Sequence, residues 1–296
     1  MKKVIVFGGS GFLGSHVADA LTDVGHDVVI YDMKSSPYLR PNQKMIIGDI
    51  LDETNVYNAM RGCDYVYHFA GFADLDDATT KPLETVQKNI VGTVVLLEAA
   101  KRAEIERFVY ASTMYVYSDK GGFYRCSKQA AETYIEEYSK RFGLKYTMLR
   151  YGTLYGPRAD IRNSVYRYVK QALTENKIDC PGTGEEIREY IHVKDAAKLS
   201  VEILQAEFEN VPITITGPHT LKLMHLLNAI KEMHGGKVDI VVDQNLTPAH
   251  YTFTPYSFIP KIGKKLTSNY YHDIGQGLLE CVNEIYVSLN QSNKDA

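Results

Sequence analysis

Lys3-Val4-Ile5-Val6-Phe7-Gly8-Gly9-Ser10-Gly11-Phe12-Leu13-Gly14 is the stretch on which the fold turns. Its first five residues are a mostly β-branched apolar run that stops at glycine. That pattern reads as a buried strand; a signal peptide would need a longer apolar stretch and a small-residue cleavage site. From Phe12 to Val24 the apolar residues take up helical spacing. Strand, glycine turn and helix in this order let a phosphate approach the backbone with no Cβ in the way, at a helix start that offers unpaired N–H groups and the positive end of its dipole. A tight glycine turn without a ligand is the plainer alternative, and the order of the elements argues against it.

The alternation continues outward from this unit. Strands are expected at Lys3–Phe7, Asp27–Tyr31, Lys44–Ile47, Asp64–Phe69, Arg107–Ala111 and Lys145–Arg150. Helices are expected at Phe12–Val24, Glu53–Met60, Leu83–Arg102 and Lys128–Arg141. Alternating β and α segments with β-branched strands imply an α/β fold: a Rossmann-type, doubly wound parallel sheet covered on both faces. After residue 151 the pattern loosens into helices near Asn163–Glu175, Leu221–Met233 and Ile274–Leu289, separated by turns such as Pro181-Gly182-Thr183-Gly184. Glu189–Val193 followed by Lys194–Leu204 reads as one more strand–helix unit returning to the sheet. The expected organisation is a dinucleotide-binding domain over 1–161, with 188–204 rejoining it. A smaller, interleaved C-terminal substrate-binding domain takes 162–187 and 205–296, with a frayed polar tail at Ser292–Ala296.

Composition narrows the function classes. In 296 residues, 45% hydrophobic and 23% charged side chains exclude global disorder and suffice for a sizeable core. A net charge of −3 lacks the basic footprint that a phosphate backbone requires, so no nucleic-acid partner is expected, and the short basic run Lys261–Lys265 reads as a solvated loop. No stretch approaches the ~20 apolar residues of a membrane span. The four cysteines are scattered without a Cys-x-x-Cys pair, so neither a disulfide framework nor a metal site is expected, and a cytoplasmic location with reduced thiols is.

The cofactor this architecture suggests is NAD. Gly8, Gly11, Phe12 and Leu13 form the phosphate turn and helix start. Asp32 ends the second strand ~20 residues beyond the glycines, where a carboxylate accepts hydrogen bonds from ribose hydroxyls and repels the extra phosphate of NADP. The alternative for Asp32 is a cap on the turn into Met33–Ser36. Asp49 and Ile50, after the third strand, are candidates for the adenine edge, with a turn carboxylate the competing reading for Asp49.

Tyr124 and Lys128 share one helix face. Tyr-x-x-x-Lys is a weak signal in a chain with 22 tyrosines, and it also occurs at Tyr166/Lys170 and Tyr190/Lys194. Only Tyr124 follows a strand ending in Ala111-Ser112-Thr113, at the carboxyl edge of the sheet where ligands bind. The chemistry accounts for the set. Oxidising a sugar hydroxyl removes its proton while hydride leaves for nicotinamide, and a phenol of pKa ~10 is a poor base at neutral pH. Bringing it near 7 takes ~4 kcal/mol of phenolate stabilisation. An ammonium a few ångströms away, with a positive nicotinamide nearby, supplies that order. Thr113 would hydrogen-bond the reacting oxygen; a strand-end hydroxyl bonded to backbone is its alternative reading.

These residues resemble the extended short-chain dehydrogenase/reductase family, especially its nucleotide-sugar epimerases and dehydratases. The resemblance spans nearly the whole chain. It rests on the glycine motif, Tyr67-His68-Phe69-Ala70-Gly71, Asn89-Ile90-Val91-Gly92-Thr93, Ala111–Tyr117, Tyr124–Lys128, Leu149–Arg158 and Arg188–Asp195. It implies Thr113, Tyr124 and Lys128 as catalytic hydroxyl, base and lysine. Phe69, Ala70, Gly71 and Asn89 would shape the cofactor groove, Arg188 would grip the substrate pyrophosphate, and Thr153 and Arg158 would lie on the substrate side. His68 and His192 sit in apolar runs and read as satisfied core histidines.

Four departures bear on the reaction. Met114-Tyr115 stand where the family's dehydratases carry Asp-Glu, the loop between Tyr117 and Tyr124 is short, Thr153 replaces a frequent asparagine, and Ser118 a usual glycine. The resemblance therefore implies an NAD-dependent epimerase of a nucleotide-diphosphate sugar, acting at C4 through a transient 4-keto sugar. A dehydratase, decarboxylase or dehydrogenase is the alternative within the family, and a non-catalytic NAD-binding regulator the alternative outside it. The family also suggests a homodimer formed through Leu83–Arg102 and Lys128–Arg141. The aromatic segment His250–Phe258 reads equally as a border of the sugar cleft or as packing.

Overall fold

The computed structural model describes residues 1–243, 264–266 and 271–292. The aromatic segment His250–Phe258, the start of the basic run at 261–263 and the tail 293–296 lie outside the described residues.

The first half runs β1 (Lys3–Phe7), α1 (Phe12–Asp23), β2 (Asp27–Asp32), β3 (Gln43–Ile47), α2 (Glu53–Met60), β4 (Tyr65–His68), α3 (Leu75–Thr80), α4 (Pro82–Thr85), a π-helical turn (Val86–Val91), α5 (Gly92–Arg102), β5 (Arg107–Thr113), a 3₁₀ turn (Met114–Tyr117), α6 (Gly122–Phe142) and β6 (Tyr146–Tyr151). The second half runs β7 (Thr153–Tyr155), α7 (Ser164–Glu175), β8 (Lys177–Pro181), β9 (Ile187–His192), α8 (Val193–Glu202), β10 (Val211–Ile215), β11 (Thr220–Lys222), α9 (Leu223–Met233), β12 (Asp239–Asp243), β13 (Lys264–Leu266) and α10 (Ile274–Ser292).

Eight strands form one sheet in the order β13-β10-β6-β5-β4-β1-β2-β3, and every pairing in it is parallel. The strand order reverses between β1 and β4, the switch point where crevices open at the carboxyl ends of such sheets. The two faces follow from the two-residue period of a strand. Ile5, Phe7, Val29, Tyr31, Val66, Phe108, Tyr110 and Met148 belong to one buried cluster with residues of α2, α5 and α6. Val4, Val6, Val28, Ile30, Tyr67, Val109, Leu149 and Tyr151 belong to another with residues of α1 and α8. A third cluster gathers α7, α9 and α10 around Ile178 and Tyr190.

Three expectations are corrected. The strand at 189–193 does not rejoin the main sheet: β9 pairs with β7 and β11 in a small separate sheet, and only α8 returns, packed beside α1. The segment 205–296 does not lie wholly outside the large sheet, since β10 and β13 extend it. Pro212 masks β10 in the sequence, because proline removes a ladder donor and argues against a central strand. The segment expected as one regular helix over Leu83–Arg102 is helical throughout but changes to a π-helical turn at Val86–Val91, which carries Asn89 into the interior.

A buried ion pair ties β5, β6 and α6 together. Arg150, next to the last residue of β6, is fully buried, and Glu132 on α6 is 1% exposed. Arg150 donates from Nε and Nη2 to the two Glu132 oxygens at 2.9 and 2.7 Å and from Nη1 to the Tyr117 hydroxyl. Glu132 also accepts from Ser112 Oγ at 2.6 Å. Removing one partner of such a pair leaves an uncompensated charge in low dielectric. Glu132→Gln is expected to cost about 3–5 kcal/mol in denaturant unfolding. Glu132→Leu combined with Arg150→Met should recover most of that loss; equal stability of Glu132→Gln and wild type would contradict the pairing.

Candidate active site

The glycine loop is built by close approach. Gly8 has φ +80°, and a Cβ on it would lie 2.5 Å from Ala70 N and 2.7 Å from the Phe69 carbonyl carbon. A Cβ on Gly14 would fall 2.2 Å from Gly8 O. Only glycine lets β1, the 69–70 backbone and the first turn of α1 come together this way. Gly11 is the N-cap of α1 and provides no side-chain cap, so the first helical N–H groups, from Phe12 and Leu13 onward, receive no side-chain oxygen from that position.

Asp32 both pins this loop and caps its own turn. Its Oδ2 accepts from Ser10 N–H at 3.0 Å and its Oδ1 from Lys34 N–H at 3.4 Å. Each oxygen keeps further acceptor capacity. Asp49 is more fully engaged: it accepts from Leu51 N–H at 3.0 Å and pairs with Lys88 at 2.6 Å, and its pKa is lowered by those partners against the opposing effect of burial. Asp49 thus closes its own turn, while neighbouring Ile50 packs where a Cβ on Gly92 would meet it at 2.5 Å.

A strut joins the loop to the helix of Tyr124. Asn89 accepts from Phe72 N–H at 2.7 Å, and its amide nitrogen donates to Phe72 O and to Ser127 Oγ, each at 2.9 Å. Ser127 Oγ in turn donates to Tyr124 O at 2.8 Å. Gly71, at φ +137°, leaves room for the Asn89 oxygen, which a Cβ there would meet at 2.5 Å. Phe69 stacks on Tyr67 with ring centroids 6.1 Å apart.

Thr113, Tyr124 and Lys128 converge at the carboxyl end of β5. Helix α6 begins at Gly122, earlier than the expected Lys128, because Gly121 takes φ +92° and Gly122 φ +47°. Tyr124 and Lys128 consequently lie one turn apart inside the helix, both buried. Lys128 Nζ donates to Ala111 O at 2.8 Å and sits over the rings of Tyr110 and Tyr124, 4.7 and 5.8 Å from their centroids. Burial pushes Lys128 down to about 8, partly offset by the Glu132 carboxylate. Thr113 Oγ1 accepts from Tyr115 N–H at 3.3 Å, and the Tyr115 ring meets Tyr124 edge-on, with centroids 6.2 Å apart.

The other residues singled out in the sequence lie elsewhere. Thr153 sits on β7 opposite Tyr190 of β9, and Arg188 is a buried residue of β9 opposite Leu221. The Arg158 guanidinium pairs with Asp19 of α1 at 2.8 Å and covers the Tyr38 ring, and its backbone N–H donates to Glu284. Arg158 thus links α1 to α10. His68 is a core histidine paired with Thr93 Oγ1 at 3.0 Å, and burial pushes it down to about 3. His192 is buried, but neither ring nitrogen has a hydrogen-bond partner. Glu132, Arg150 and Ser112, the frame beneath Lys128, were missed in the sequence. Their signals were a glutamate four residues after Lys128 on its face and an arginine inside an apolar strand.

The sequence model of the NAD dependent epimerase/dehydratase family matches residues 4–216. The chain belongs to that family. Relatives within reach differ in reaction. A dTDP-D-glucose 4,6-dehydratase of Mus musculus is 28% identical over 232 residues, 69% of this chain and 64% of its own. A UDP-N-acetyl-alpha-D-glucosaminuronate decarboxylase of Bacillus cytotoxicus is 26% identical over 268 residues, 81% of this chain and 83% of its own. The solved structure of a UDP-N-acetylglucosamine 4-epimerase from Methanobrevibacter ruminantium M1, in complex with UDP-N-acetylmuramic acid, is 25% identical. It aligns at TM-score 0.84 over 97% of this chain and 99% of its own.

NAD is the cofactor of the epimerase/dehydratase family, and this chain's cradle fits it. The start of α1 carries no side-chain cap, so its first N–H groups are available to a phosphate, and a carboxylate stands at the end of β2. Unlike the dehydratase pattern, this family member packs Met114 fully inside and places Tyr115 against Tyr124. No helix among the described residues is long and apolar enough to cross a membrane.

Lys128 gives a sign-defined test. Its folded value lies below the ordinary 10.5, so the unfolded chain binds the extra proton between the two values and stability rises with pH there. Between about pH 8 and 10 the wild type should gain stability relative to Lys128→Met, by at most about 3 kcal/mol, in denaturant midpoints taken at each pH. A constant difference across that window would contradict a buried ammonium at this position.

Proposed function

We propose that the chain is an NAD-dependent epimerase that inverts C4 of a nucleotide-linked hexose, with Tyr124 as the base. The observation that carries this reading is the buried Lys128 ammonium under the Tyr124 ring, at the strand end that also bears Thr113. When bound, NAD supplies a reversible acceptor for the hydrogen at the sugar carbon. Tyr124 takes the hydroxyl proton as the alcohol is oxidised and returns it when the carbonyl is reduced on its other face, so no net proton or electron is consumed. Lys128 lowers the cost of the phenolate, and Thr113 holds the reacting oxygen by hydrogen bonding.

Epimerisation is favoured over 4,6-dehydration because Met114 and Tyr115 follow Thr113. A buried thioether cannot shuttle protons, and a phenol edge-on to Tyr124 is a poor substitute for a carboxylate pair. Arg188 is assigned to the substrate pyrophosphate, for which its planar fork is suited, and Thr153 to the sugar side. Asp32 is assigned to the adenosine ribose and Asn89, Ala70 and Gly71 to the groove wall. The apolar side chains exposed on the helices flanking α6 and on α6 itself, among them Leu83, Val86, Phe123 and Phe142, support a homodimer through these helices.

Tested against a panel of nucleotide-sugars, the protein should interconvert one C4-epimeric pair with no change in product mass and no NADH accumulating in solution. Tyr124→Phe should lower kcat about 10²–10⁴-fold at unchanged NAD binding. Loss of water or carbon dioxide from the product would assign a different reaction to the same site, and a Tyr124→Phe variant as fast as wild type would remove the base.

A further inference from the structure

A second cluster lies at the corner between β9 and α8. His192 ends β9, Asp195 is in the first turn of α8, and His272 stands just before α10. Each offers one donor atom, and these atoms all lie within 4.8 Å of one another, the only such group among the described residues. The His192 and His272 rings are stacked with centroids 4.4 Å apart.

A separate observation concerns His192 alone. It is 2% exposed, yet both ring nitrogens lack a hydrogen-bond partner. Its nearest charged neighbour is Glu280 of α10, with Oε2 3.5 Å from Nε2. Buried polar groups without partners are rare in folded chains. Beside this ring lies a cavity of about 20 Å³, bordered by His192, Asp195, His272, Thr216 and Tyr271. That is room for one water or one ion.

We propose that His192, Asp195 and His272 form a binding site for a single divalent transition-metal ion of the zinc class. Two imidazoles and one carboxylate are a ligand set such ions accept, with a fourth position left to water or to the Glu280 carboxylate. Asp195 already orients the His272 ring, accepting from Nδ1 at 2.7 Å and from the backbone N–H at 2.7 Å, and its oxygens retain further lone pairs. Imidazole donors argue against magnesium or calcium, which take oxygen shells. The bound ion would staple the chain entering α10 to the β9–α8 corner. The inference is independent of the reaction assigned to Tyr124.

The test is equilibrium dialysis of the full chain, stripped with chelator, against micromolar Zn²⁺, with a parallel titration by Co²⁺. The expected result is one Zn²⁺ per chain, weakened at least about tenfold in both His192→Gln and His272→Gln. Co²⁺ should give visible d–d bands without thiolate charge transfer, since no ligand is a cysteine. If His192→Gln fails to fold, the partly exposed His272→Gln decides the matter. Failure to retain zinc, equal retention by His272→Gln, or a thiolate signature from one of the cysteines would overturn the proposal.

Discussion

An ammonium held out of water beneath two tyrosine rings is the constraint around which the site is arranged. Lys128 donates to the Ala111 carbonyl at 2.8 Å, with the Glu132 carboxylate one turn further along the same helix. Burial alone favours the neutral amine, and the carboxylate works against it. The two Arg150 hydrogen bonds fix the Glu132 carboxylate in that position. The chain of support runs from a charged residue inside β6, through a helix carboxylate, to the lysine and the phenol one turn above it. The frame is rigid because each member is buried and hydrogen-bonded.

The opposite wall of the groove depends on close backbone approach. Gly8 and Gly14 bring the first turn of α1 against β1, and Asn89 carries the same rigidity across to α6 through Ser127. The π-helical turn that delivers Asn89 breaks an otherwise regular helix, as expected where a side chain must be turned into a site. Loop, strut and α6 thus form one connected body, which is what the proposed reaction, needing sub-ångström placement, requires.

Much of this was legible in the sequence because strong local signals agreed with the global fold. The strands β1 to β6 and the helices α1, α2 and α7 declare themselves by period and by the residues that bound them. What stayed hidden was decided by tertiary contact. Pro212 obscured a strand whose neighbours supply its pairing, and Glu189–His192 looked like a main-sheet strand but found its partners in β7 and β11. The family resemblance puts Arg158 on the substrate side; its pairing with Asp19 and Tyr38 is a tertiary contact that the sequence does not announce. His192 and His272 are 80 residues apart, a spacing that no local metal motif describes.

The most direct measurement is the ionisation of the Tyr124 phenol itself, by ultraviolet difference titration of the NAD-loaded wild type against Tyr124→Phe. The account predicts one phenolate appearing with a midpoint near neutrality, about 7, and moving upward when Lys128 is replaced by methionine. A Tyr124 phenol that ionises only at the ordinary value of about 10, with or without the lysine, would contradict it.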